Sequence, residues 1–250
     1  MKAISLIPLL SCLCVLGLVS TPAAAQWSTT YTPLYATSPG QVDFFDIDET
    51  STTDPTPLFG EPMRVGNELR FYPTSFVSES ENADPDTTQG KLRMRISTWP
   101  GTFFEQISVT EYGDYLFTGS GGAATQANVG GTLYIINETP GEFPTIIQMP
   151  LVSDPVAPYS LPDSGGQFSA SATIDLTGYF WTELYLIFTD TLQTASEAGT
   201  VAHIEKNVAH GPITLIVVPE PSCLCLLALS GWLSLPGRKK RTAGGGSRRP

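Results

Sequence analysis

His203 and His210 are the two histidines of the chain, and so the two side chains whose ordinary titration falls near neutral pH. With an acid such as Glu205 they could hold a metal, but their spacing matches no helical ligand pair, and surface histidines are the plainer reading. Acids are plentiful. A glycosidase needs only two carboxyls about 5 to 9.5 Å apart; Glu105 and Glu111 flank one expected strand, while Asp175, Glu183 and Asp190 come from adjacent ones. Nothing in the sequence separates a working pair from a solvated face. Gly119-Ser120-Gly121-Gly122 resembles a nucleophile elbow only superficially, with no histidine near it in sequence, and no lysine follows to make it a phosphate loop. The best-supported ligand is calcium: Asp43, Asp46, Asp48 and Glu49 lie in one short stretch and Asp84 and Asp86 in another, offering hard oxygen donors without the EF-hand spacing. Ordinary acidic loops would read the same way. Trp27, Tyr31, Tyr35, Trp99 and Tyr179 are candidate sugar platforms, although core packing also explains a Trp beside a strand. No catalytic residue is assigned.

These groups must be positioned by strands. Phe168, Ala170, Ala172, Ile174 and Leu176 alternate with Ser169, Ser171, Thr173 and Asp175, and Leu92, Met94 and Ile96 alternate with Lys91, Arg93 and Arg95. Further strands are predicted at Val42–Ile47, Glu68–Tyr72, Gln106–Glu111, Tyr115–Thr118, Thr132–Asn137, Thr145–Met149, Phe180–Phe188, Val201–Lys206 and Ile213–Val218. Phe180–Phe188 is apolar on both faces, as a covered central strand would be. Turn residues such as Asp84-Pro85-Asp86, Gly130-Gly131 and Pro140-Gly141 separate them, and 23 Gly and 21 Pro leave little room for long helices. The expectation is an all-β, antiparallel β-sandwich or jelly-roll-like single domain over residues 42–218. An extended arm (residues 26–41) precedes it, and residues 78–89 are expected to form a long loop.

The chain carries 24 Asp+Glu against 13 Lys+Arg, for a formal charge of −11. Lys2 and the bases from Arg238 to Arg249 lie at the ends, so the stretch between is more acidic still. Such a surface excludes nucleic acid as a partner, because phosphate binding is driven by Lys and Arg. All four cysteines (Cys12, Cys14, Cys223, Cys225) also lie in the end segments. The body must therefore hold without disulfides, and thiolate chemistry is ruled out there.

The ends indicate a destination. Lys2, an apolar run from Ile4 to Val19 and the A-x-A pattern of Ala23 and Ala25 read as a signal peptide (residues 1–25) cut by signal peptidase before Gln26. At the other end Pro219-Glu220-Pro221 is followed by an apolar stretch to Leu235 and then by Arg238, Lys239, Lys240 and Arg241, a basic stop that orients the body outside. Ser222 to Leu235 would make about 21 Å of helix, short against a hydrocarbon core of about 30 Å. This order of parts resembles the PEP-CTERM sorting signal of exported bacterial proteins. The resemblance covers residues 219–241, beyond which a tail (residues 242–250) is expected to be disordered. It implies recognition and cutting by a membrane-embedded exosortase, transient anchoring by the short transmembrane helix, and a final place at the cell surface or in the extracellular matrix. A weaker resemblance, carried by Glu111-Tyr112-Gly113-Asp114-Tyr115 and by the stretch from Thr194 to Lys206, is to blocks in the bodies of such proteins. It implies fold and nothing catalytic.

The favoured expectation is thus an exported, non-enzymatic surface or matrix protein. A calcium-assisted carbohydrate-binding module touching extracellular polysaccharide is the alternative, and an acid-pair glycosidase the third reading.

Overall fold

The computed structural model of the protein describes residues 27–38 and 40–220. These residues form fifteen strands and no helix: β1 (Trp27–Thr30), β2 (Val42–Ser51), β3 (Met63–Val65), β4 (Glu68–Phe71), β5 (Val77–Glu81), β6 (Asp86–Thr98), β7 (Phe104–Gly119), β8 (Gln126–Asn137), β9 (Ile146–Pro150), β10 (Val152–Asp154), β11 (Tyr159–Ser160), β12 (Gly165–Asp175), β13 (Glu183–Ala195), β14 (Thr200–Lys206) and β15 (Ile213–Pro219).

Two antiparallel sheets result, as expected of a β-sandwich. One runs β1-β2-β6-β13-β8-β11, with β9 also on β8. The other runs β10-β12-β7-β15-β4-β3, with β14 bridging β7 and β5. Alternation drives the assembly, because every second residue of a strand points to the same face. Along β13 the inward set is Leu184, Leu186, Phe188, Asp190, Leu192 and Thr194; along β7 it begins Phe104, Ile107, Val109, Glu111. Phe59 anchors the core, meeting Phe71, Phe76 and Phe188 edge-on with centroids 5.4 to 6.1 Å apart.

Several expected boundaries move. Gln106–Glu111 and Tyr115–Thr118 are one sixteen-residue strand, β7, because Gly113 lies within the ladder instead of turning the chain. Residues 78–89 are not a long loop: β5 and the start of β6 occupy them, joined by a short turn at Asn82 and Ala83, both at positive φ. Phe180 is 62% exposed and Trp181 is buried, so the central strand begins at Glu183. That strand does have partners on both edges, β6 and β8, yet Tyr185 and Ile187 on its other face are half-buried and not fully covered. The arm is laid against the sheet: Trp27–Thr30 pairs with Ser51–Asp48, and Leu34 bridges Phe44.

In the second sheet β7 is longer than any single neighbour on one of its edges, so β15 pairs with it up to Thr110 and β14 takes over from Gly113. Glu111 and Tyr112 sit at this handover.

Candidate functional site: a sealed lysine and two carboxyls

Lys206 is the last residue of β14 and pairs with Gly113 of β7. It shares an inward parity with Ala202 and Ile204, so its side chain enters the core. Glu111 lies two residues before Gly113 on the same face, a diagonal neighbour within reach of a long side chain. Asp190 comes from the opposite sheet, on β13, where its partners on either side are Gly90 and Gly131. The three side chains meet between the sheets. Lys206 Nζ donates to Glu111 Oε1 and, across 3.1 Å, to Asp190 Oδ1. All three side chains are wholly shielded from solvent.

The surroundings are aromatic. Lys206 Nζ stands 5.5 Å from the ring centroids of both Phe76 and Phe168. Gly113 makes room for the latter, since a Cβ there would run into the Phe168 ring and the Glu205 carbonyl. Gly90 likewise leaves space for Phe59 and Phe76.

Among the described residues Glu111 Oε2 and Asp190 Oδ2 have no hydrogen-bond partner. Each unpartnered buried oxygen costs about 1 to 3 kcal/mol. Burial first, and then the neighbouring Asp190 charge, push the Glu111 carboxyl well above the usual carboxylate range, while Lys206 pulls the other way. Burial thus works against the charged form of Glu111, and Lys206 is the group that offsets it.

Glu49 shows what a satisfied buried carboxylate looks like in the same fold. It is also fully buried, but it accepts from the backbone N–H groups of Leu58, Phe59 and Gly60 and from the Tyr31 hydroxyl at 2.7 Å. Burial, then the hydrogen bond to Glu49, drives the Tyr31 hydroxyl pKa far upward.

The acids proposed for calcium are not gathered. A bulge between Phe45 and Asp48, with Asp46 at φ 51°, returns Ile47 and Glu49 to the core and turns Asp48 outward to Arg93 at 2.5 Å. Asp46 faces Arg95 at 3.5 Å, and Asp43 accepts from the Ala36 amide. Asp86 accepts from the Glu79 amide at 3.0 Å. Among the described residues no three of His, Cys, Asp and Glu come together as a metal-binding group.

The histidines find separate partners: His203 Nδ1 is 2.9 Å from Glu79, and His210 Nε2 is 3.0 Å from Asp114. Of the acids considered for glycosidic chemistry, Glu111 and Asp190 are brought together, but inside the core and on a lysine, where no glycan reaches them. Asp175 accepts from the Thr177 amide at 2.8 Å, and the Thr177 hydroxyl first, then that amide, hold its carboxyl low. Gly122 opens the turn at Ala123-Ala124, its carbonyl accepting from the Thr125 amide at 3.1 Å and its own amide donating to Glu197. Of the aromatic platform residues, Tyr35, Trp99 and Tyr179 are exposed, and Tyr179 packs on Trp181 with centroids 4.5 Å apart.

Pro219 closes β15, and the Glu220 amide donates to the Phe103 carbonyl at 2.7 Å. Ala23, Ala25, Gln26, Pro221 and the bases Arg238, Lys239, Lys240 and Arg241 lie outside the described residues, as does the apolar stretch 222–235 expected to be a helix. Among the described residues no helix is long and apolar enough to cross a membrane.

No family model and no curated protein matches the chain. Solved structures give faint likenesses. One, described as the basis for promiscuous specificity of carbohydrate-binding modules from the β-sandwich super family, is 10% identical with a TM-score of 0.18, covering 65% of this chain and 72% of that one. Another, of the infectious bursal disease virus Gt strain, is 10% identical with a TM-score of 0.11, covering 71% and 51%. Likeness at this level carries no argument, and the fold rests on the sheets themselves.

Lys206 was not singled out by its sequence context, although a signal was there. Strict alternation through Ala202 and Ile204 places it inward, as alternation through Val109 places Glu111 and through Phe188 places Asp190. A charged residue at an apolar parity is the anomaly to look for.

Proposed function

We propose that this is an exported, exosortase-sorted protein of the cell surface or extracellular matrix, acting as a stable β-sandwich without catalysis. The observation that supports the reading is where the sandwich ends: the last described strand, β15, closes at Pro219, the first residue of the Pro219-Glu220-Pro221 motif, and Glu220 already lies outside the sheet. Cleavage beyond that point would leave every described strand intact. The finer reading, a jelly-roll-like body carrying a removable signal peptide and a short sorting helix, belongs to the same proposal. The test is C-terminal mass spectrometry of surface-fraction protein. A mature form lacking Arg238–Arg241 is expected, and finding those residues still attached would make the C-terminus a plain anchor.

A second reading, contact with extracellular polysaccharide, has one observation in its favour. A groove of about 310 Å³ is lined by Asp86, Gln126, Asn128 and Gln193 among others, side chains that can hydrogen-bond to sugar hydroxyls. Pull-down with polysaccharide, compared between the native chain and Gln126→Ala/Asn128→Ala, separates the two.

A further inference from the structure

The geometry points to Lys206 as the site of an intramolecular isopeptide bond, formed without cofactor between its Nζ and the Glu111 carboxyl carbon, with Asp190 carrying the proton. This goes beyond the sorting proposal and does not depend on it.

Three observations carry the assignment. The amine is held against Glu111 Oε1 in a chamber shielded from solvent, so nucleophile and electrophile are already together and no water competes for the acyl carbon. In such a fixed geometry the entropic cost of bringing the partners together is met by folding. A second carboxyl, Asp190, touches the same nitrogen at 3.1 Å, where an amide-forming reaction needs a proton acceptor that later becomes a donor. Finally, each carboxyl keeps one oxygen with no partner among the described residues. Purely as an ion cluster this arrangement is a poor design: a buried pair seldom outdoes apolar residues of the same size, and the two orphaned oxygens add to its cost. Glu49 proves that this fold can satisfy a buried carboxylate fully.

The chemistry balances. One proton passes from the Lys206 ammonium to Glu111, giving a neutral amine and a neutral acid, the state that burial favours for Glu111. The nitrogen lone pair attacks Cδ of Glu111, and an N–H proton moves to the Asp190 carboxylate. The tetrahedral centre then expels its hydroxyl, which takes that proton from Asp190 and leaves as water. One C–N bond forms, one C–O bond breaks, nothing is oxidised or reduced, and Asp190 ends as it began. The product joins β14 to β7 covalently at the point where β7 changes partners. Phe76 and Phe168 close the chamber over the nitrogen.

The experiment uses the purified full chain, denatured and digested. No Lys or Arg lies between Arg95 and Lys206, so trypsin releases Ile96–Lys206 as one peptide if the lysine is free. Acylated Lys206 is not cut, and the longer peptide that contains it should weigh about 18 Da less than its sequence, one water lost. Digestion with chymotrypsin should then give a branched peptide joining the segments around Glu111 and Lys206. An Asp190→Asn chain, shown by circular dichroism to keep its β spectrum, should have a free Lys206. Cleavage after Lys206 at full mass in the native chain overturns the proposal. A branch at Asp190 instead of Glu111, or undiminished linkage in the Asp190→Asn chain, overturns the roles assigned to the two acids.

Discussion

The Tyr31 hydroxyl donates to Glu49 Oε2 across 2.7 Å, tying the segment after β1 to a carboxylate that also caps three successive amides, Leu58 to Gly60. The two partners should differ sharply in importance. Tyr31→Phe removes one hydrogen bond to a charged group and should cost about 1.5 to 3 kcal/mol. Glu49→Ala leaves the amides without their acceptor and should cost more, about 3 kcal/mol or above, since each stranded buried donor carries its own penalty. Urea unfolding midpoints of the two variants test this; equal losses would mean that the amides find other partners.

The pH dependence of stability should report whether Lys206 has reacted. In an unlinked chain such as Asp190→Asn, burial, the leading cause, still holds the Glu111 carboxyl above the usual range. The folded state then binds more protons than the unfolded one above the ordinary carboxyl value of 4.5, so stability is present below that pH and is lost as pH rises through the interval toward the raised folded value. Linked native protein lacks this component because an amide nitrogen and acyl carbon exchange no proton there. Urea midpoints compared at pH 4.5 and 7, with Asp190→Asn/Glu111→Gln as control, should show a steeper fall in Asp190→Asn than in either the control or the native chain. Parallel slopes would contradict it.

Calcium should leave the melting temperature unchanged. Asp43, Asp46 and Asp48 are each engaged by an amide or an arginine, and Glu49 faces the interior, so the four cannot converge on one ion. Asp48→Asn should cost no more than about 1 kcal/mol, as expected for a solvent-accessible pair. Differential scanning calorimetry with millimolar Ca²⁺ and with chelator is the check; a rise of several degrees on adding the ion would restore a calcium site.

The strands were legible wherever alternation ran unbroken, as from Phe168 to Leu176, and misread where a residue type suggested something it was not doing. Gly130-Gly131 reads as a turn between two strands, yet both stay inside β8, where a Cβ on Gly131 would collide with the Thr189 carbonyl of β13. Phe180 reads as core from its neighbours, but the chain enters the sheet only at Glu183. The inward parity of Lys206, Glu111 and Asp190 could have been extracted from the sequence. Their meeting could not, because it depends on which strands of the two sheets face each other, and on Gly90 and Gly131 flanking Asp190, neither of which is written in any local pattern.

β15, the last strand of the sandwich, is not at an edge: it sits between β7 and β4 in the middle of its sheet. The sheet therefore stays in two pieces until Ile213–Pro219 arrives, however much of the chain has already been made. Closure depends on contacts between residues far apart in sequence, the kind that form late and slowly. Until then β3 and β4 have no neighbour to carry them, so the hairpin they form is held in this sheet only once the final strand slots in beside β7.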